Sequence, residues 1–178
     1  MAPIRKGDGT PLEIPGVSEV RSGDGRVFFD DAIPDSVVTR PADNETFNDD
    51  RSWGVGIEVT EEWPEIGARI SDNTSGATRA QIFDDDGQVI GETDISGKSA
   101  GDTFTVELDE KLVDGPMYSI ELDAEGSDFD RGGLDADDVD LPYVSDDGNL
   151  EIVVGTGEGG DSFTGLYCVD EIGNVGFN

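Results

Sequence analysis

Histidine is absent from the 178 residues. With it go the Ser–His–Asp and Cys–His nucleophile systems, the usual zinc sites and the usual proton shuttle near neutral pH. Cysteine occurs once, at Cys168. A lone cysteine cannot staple its own fold, so any disulfide would join two chains, and the simpler expectation is a buried thiol in an apolar strand. No run of 18 apolar residues exists, so no membrane-spanning helix is expected. Met1 to Thr10 contains no hydrophobic stretch, which predicts no secretory signal and synthesis into a cytoplasm. The N-x-S/T triplets at Asn44 and Asn73 therefore carry little meaning as glycosylation sites. Lysine is scarce too, with Lys6, Lys98 and Lys111 only.

What the chain has in excess is acid. Asp and Glu number 42 against 11 Lys and Arg, giving a formal net charge of −31 and a pI near 4.1. Such self-repulsion destabilises a compact state in dilute buffer. At molar salt the Debye length falls to roughly 3 Å and the penalty is largely screened. Arg outnumbers Lys and Asp outnumbers Glu, a pattern suited to a surface short of free water. The composition predicts an organism living in molar KCl, or a virus of one, with K⁺ and hydrated cations at the protein surface. A disordered acidic chain would lack periodicity, which this one has. A DNA mimic would align its carboxylates along a stripe, whereas these run through almost every loop; no specific nucleic-acid binding is expected.

The hydrophobic pattern is β throughout. Trp53–Thr60 alternates Trp53, Val55, Ile57 and Val59 against Gly54, Gly56, Glu58 and Thr60. Further strands are predicted at Ile66–Ile70, Thr78–Phe83, Gln88–Thr93, Thr103–Leu108, Met117–Leu122, Leu150–Val154 and Phe163–Val169, with an edge strand over Ile172–Phe177. Asp84-Asp85-Asp86-Gly87 has the composition of a hairpin turn. Eight antiparallel strands with one long loop, Ala124–Gly148, predict an all-β chain: a single eight-stranded jelly-roll or other β-sandwich over residues 51–178. Residues 1–50 read as an extended N-terminal arm, with short strands at Arg26–Phe29 and Ser36–Arg40. Arg5, Lys6, Arg21 and Arg26 balance Asp8, Glu13, Glu19 and Asp24, so residues 1–26 are neutral and the whole −31 lies in residues 27–178.

The motifs that suggest chemistry are weak. Gly155-Thr156-Gly157-Glu158-Gly159-Gly160 matches G-x-G-x-x-G, but a strand rather than a helix follows, and Glu158 would repel phosphate; the segment reads as a flexible turn. Asp128–Asp140 is rich in Asp, and Asp128, Asp130, Asp135 and Asp137 are the Ca²⁺ candidates. The loop departs from an EF-hand at Gly132 and lacks a closing Glu, so a solvated loop is the preferred reading. Trp53 and Trp63 could stack on sugar rings, against a simpler expectation of Trp53 in the core and Trp63 as a loop anchor. No carboxylate pair is singled out for glycoside hydrolysis. The chain is not expected to be an enzyme or to need a cofactor.

The segments IRKGDGTPLEIPGVSEVRSGDGRVFFDDAIPDSVV, TSGATRAQIFDDDGQVI, SAGDTFTVEL and MYSIELDAEG resemble virion proteins of haloarchaeal viruses. The likeness is greatest to the smaller of the two single-jelly-roll major capsid proteins of icosahedral haloarchaeal viruses with an internal membrane. The resemblance implies an upright jelly roll packed beside copies of itself and a larger capsid protein, over a lipid vesicle and assembled in the host cytoplasm. It implies that Arg5 and Lys6 lie along the inner face near anionic headgroups, and that Cys168 bridges subunits once oxidised. The alternative is a carbohydrate- or receptor-binding sandwich on a tail, turret or spike, using Trp63 or the Asp-rich loop with Ca²⁺.

Overall fold

The computed structural model describes residues 19–21, 27–30 and 36–174. The chain divides into two compact units, Met1–Pro34 and Asp35–Asn178. In the first, β1 (Glu19–Arg21) pairs antiparallel with β2 (Val27–Asp30). The second unit, from Asp35 onward, is the body.

The body is all-β, with every strand pairing antiparallel. Its strands are β3 (Val37–Thr39), β4 (Glu45–Asp49), β5 (Trp53–Val59), β6 (Trp63–Ile70), β7 (Arg79–Phe83) and β8 (Val89–Asp94). They continue with β9 (Thr103–Leu112), β10 (Tyr118–Asp123), β11 (Phe129–Leu134), β12 (Tyr143–Val144), β13 (Leu150–Gly157), β14 (Asp161–Phe163), β15 (Leu166–Tyr167) and β16 (Val169–Gly173). Among the described residues the one helical turn is a 3₁₀ turn at Ala136–Asp138.

Pairing is nested in sequence. The β7–β8 hairpin lies inside the β6–β9 pair, which lies inside β5–β10, which lies inside β3–β16. Further ladders join β10 to β7 and β16 to β6. Two four-strand runs result, β5-β10-β7-β8 and β3-β16-β6-β9, meeting through the single pair Gly91↔Leu108. β13 extends the first run beyond β5, with β12 and β14 beside it. At the far end β3 lies against β12 and β13, so the sheet is nearly closed. A separate sheet, β15-β11-β4, is built from segments between these strands.

Period-2 patterning explains the core. Val55, Ile57, Ile66, Val106, Ile120, Ile152 and Ile172 point inward and are essentially inaccessible. β5 is buried on both faces, which its glycines permit: a Cβ on Gly54 would sit 1.7 Å from the Ile120 carbonyl oxygen. The predicted Asp84–Gly87 turn forms as composition requires. Asp84 Oδ1 accepts the Asp86 and Gln88 N–H groups at 3.0 and 2.7 Å, and Gly87 takes φ +73°.

Three expectations are corrected. The Ala124–Gly148 loop contains β11, β12 and the 3₁₀ turn. The predicted Phe163–Val169 strand is instead broken into the end of β14, β15 and the start of β16: a bend at residues 164–165 separates the first two, and Cys168, at φ +64°, turns the chain between the last two. Of the predicted Ile172–Phe177 edge strand, Ile172 and Gly173 close β16, an inner strand between β6 and β3, and residues 175–177 lie outside the described residues.

Candidate functional site

The Asp-rich segment straddles β11: Asp130 lies on the strand, Asp128 precedes it, and Asp135 and Asp137 follow it at the 3₁₀ turn. Asp130 lies near its start and Asp135 just past its end, a span of about 16 Å at 3.3 Å per residue. Asp130 accepts hydrogen bonds from Asn48 Nδ2 (3.0 Å) and Ser75 Oγ (3.2 Å). Asp135 caps the 3₁₀ turn by accepting the Asp137 N–H, while Asp128 and Asp137 are exposed. One ion cannot be shared by Asp128, Asp130, Asp135 and Asp137, and among the described residues no His/Cys/Asp/Glu group is arranged to hold a metal.

Trp63 is 2% exposed and opens β6 within the core, so no sugar ring can stack on it. Cys168 is fully buried, its N–H bonded to the Gly132 carbonyl and its own carbonyl to the Ser71 N–H. Burial pushes its thiol well above the usual range. A bridge between subunits therefore has no accessible sulfur in this fold. Arg5 and Lys6 lie outside the described residues.

The sequence reading missed Arg131. This β11 residue is 8% exposed, and its guanidinium carbon lies 3.6 Å from the Trp53 ring centroid, 4.3 Å from Tyr167 and 4.9 Å from Phe47. Its Nε and Nη1 have no hydrogen-bond partner among the described residues, so the aromatic faces supply much of its electrostatic compensation. Phe163 and Tyr167 flank the same indole at 4.6 and 5.1 Å. Arg131 thereby fastens the β15-β11-β4 sheet to β5. Beside it, Arg51 holds Asp49 (2.9 Å) and Glu158 (3.1 Å), and its hydrogen bonds lower the Asp49 carboxyl to about 2.

A second buried polar group sits at the β15–β16 turn. Arg40, 3% exposed, donates to the Val169 carbonyl (2.7 Å), the Pro41 carbonyl (2.8 Å) and Asp43 (2.6 Å). Arg69 bonds both Asp170 and Asp72. Burial pushes the Asp170 carboxyl up in spite of that pairing.

The glycine-rich turn is also explained. Residues 158–160 all take positive φ, presenting the Gly159 and Gly160 N–H groups to the buried Glu121 carboxylate at 3.0 and 2.8 Å. Ser52 Oγ (2.6 Å) and Ser119 Oγ (3.1 Å) complete its shell. The backbone nest that resembles a phosphate cradle is filled by the protein's own carboxylate, and β14 follows where a helix would be needed.

These groups are spent on one another. Arg40, Arg51, Arg69, Arg79 and Lys111 all stand in ion pairs, and Arg131 is stacked on rings, leaving an exterior dominated by carboxylate. Comparison of the chain with family models, with curated proteins and with solved structures finds no match.

Proposed function

We propose that this chain is a structural subunit of a virion shell, built as a single jelly roll that associates side by side with copies of itself and a larger capsid protein over an internal membrane. The observation that carries the reading is the nested strand order. The runs β3-β16-β6-β9 and β5-β10-β7-β8 within the large sheet match the order expected of a folded-over hairpin of eight strands, which supports the jelly-roll reading. β12, β13 and β14, with the β15-β11-β4 sheet, are then additions to that frame.

Three further features support it. The Arg131 aromatic cluster and the buried Arg40–Asp43 pair join elements of the fold to one another, while most of the other ion pairs lie at the surface. The outward carboxylates suit a particle that stays soluble in brine. The resemblance of the quoted segments to the smaller capsid protein of haloarchaeal viruses points the same way, and implies assembly in the host cytoplasm. The sugar-binding alternative loses its residues, since Trp63 is core and the Asp side chains are dispersed.

Cryo-electron microscopy of the chain concentrated in about 3 M KCl, where repulsion is screened, tests the proposal. Rings, sheets or closed particles of upright sandwiches are expected, and they should disperse when salt is withdrawn. Isolated single subunits at every concentration, with and without virion lipid and the larger capsid protein, would overturn it.

A further inference from the structure

Within residues 36–174, Arg131 is the arginine without a counter-ion. Arg40, Arg51, Arg69 and Arg79 each hold a carboxylate, and Arg131 holds none among the described residues. At 8% exposure it is more than nine-tenths buried, and an arginine cannot shed its proton to relieve a buried charge. Asp49 feels that charge but is bonded to Arg51. The Tyr167 hydroxyl also lies within its influence, and donates to Glu45 at 3.3 Å.

The rings of Trp53, Tyr167 and Phe47 receive the guanidinium. Such contact answers the charge in part, but each buried N–H still needs an acceptor. Nε and Nη1 of Arg131 have none. Neither has Nε1 of Trp53, a residue 4% exposed whose ring lies against the guanidinium. Two adjacent buried side chains therefore offer donors with no acceptor, around one positive charge. Buried donors in this state mark the place of an ion or a water. A water would accept from them and then need acceptors for its own hydrogens, while the ring faces are already turned to the cation. It would also leave the charge unbalanced.

We propose that this locale binds a small monovalent anion, chloride in brine, with Arg131 Nε or Nη1 as its principal donor and Trp53 Nε1 beside it. A single negative charge balances a single guanidinium, whereas a divalent anion would add excess charge to a chain already at −31. The aromatic walls favour a weakly hydrated halide over sulfate or phosphate, whose desolvation costs more. Phe47, 45% exposed on β4, is the wall that swings aside to admit the ion. The acidic exterior repels anions in dilute buffer and is screened at molar salt, so occupancy belongs to brine. The inference rests on these donors and does not depend on the shell reading.

Bromide is the probe, because it resembles chloride and scatters anomalously. The full chain and its Arg131→Met variant are melted in about 3 M potassium gluconate, a bulky anion, which bromide then replaces stepwise at constant potassium. Comparing the two proteins cancels the bulk effect of exchanging one salt for another. The parent midpoint should rise relative to R131M, by about 3–6 °C once bromide exceeds its dissociation constant tenfold. Anomalous maps of parent crystals grown in potassium bromide should show a peak within hydrogen-bond reach of Arg131 Nε or Nη1. A difference between the proteins that bromide does not change overturns the proposal. So does a map with no peak at those donors, which decides the matter should R131M fail to fold.

Discussion

Glu121 offers a sharp perturbation because its geometry divides evenly. Oε2 accepts Ser52 Oγ and the Gly159 N–H; Oε1 accepts Ser119 Oγ and the Gly160 N–H. The residue is 1% exposed, so solvent cannot replace a lost partner. In Glu121→Gln one oxygen becomes an amide NH₂. The serine hydroxyl on that side can rotate to accept from it, but the glycine N–H cannot, and one buried donor is left facing another. A charge-assisted bond is worth about 1.5–3 kcal/mol and a buried unmet donor costs about 1–3, so a loss of about 3 kcal/mol is expected. For a domain of this size that lowers the melting midpoint by about 6–12 °C. Glu121→Ala removes all four bonds and leaves a void, for a loss of about 4–5 kcal/mol. Circular dichroism melts in about 3 M KCl, where bulk repulsion is screened, measure the effect. Hydrogen exchange at Gly159 and Gly160 should accelerate in both variants. An E121Q protein melting within about 1 °C of the parent, with those amides still protected, would refute the idea that this carboxylate clasps the turn.

Glu65 and Glu107 stand directly opposite each other on β6 and β9, so Glu107→Gln should raise the midpoint by about 1–3 °C near 0.1 M KCl and leave it unchanged near 3 M; an equal gain at both salts would rule out charge repulsion as the cause. Asp49, with its carboxyl lowered from 3.8 to about 2 by Arg51, contributes stability that is present above pH 3.8 and lost as pH falls toward 2. Arg51→Met should remove that component of acid destabilisation in a pH-dependent melt, and an unchanged profile would deny the link. Cys168 should resist a thiol reagent in the native state and react once urea unfolds the chain; rapid native labelling would contradict its burial.

Much of the β architecture was legible because large apolar side chains alternate along the strands with glycine or polar residues, whether the second face is wet, as in β9, or buried, as in β5 and β10. Trp53–Thr60, Thr103–Leu108 and Met117–Leu122 fall within a few residues of β5, β9 and β10. The hidden elements have specific causes. β11, with the sequence FDRGGL, carries an acid, a cation and two glycines, so its alternation of Phe129 with Arg131 does not look apolar. Arg131 is inward because three rings receive it, and those rings lie on other strands. β16 was displaced because nothing local announces that Cys168 will adopt a left-handed conformation. Gly155–Gly160 was read as a turn; its first three residues end β13 and only residues 158–160 turn, with a role that depends on Glu121, more than thirty residues away. The Asp-rich segment, read by preference as a solvated loop, begins instead with a strand, and the intervening extended backbone sets Asp130 far from Asp135.

Light scattering of the purified chain across a concentration series in about 3 M KCl tests the central claim most directly. Growth from single subunits into dimers, trimers or larger closed assemblies is the result expected of a shell subunit. A strict monomer at every concentration, unchanged when the larger capsid protein is added, would contradict it.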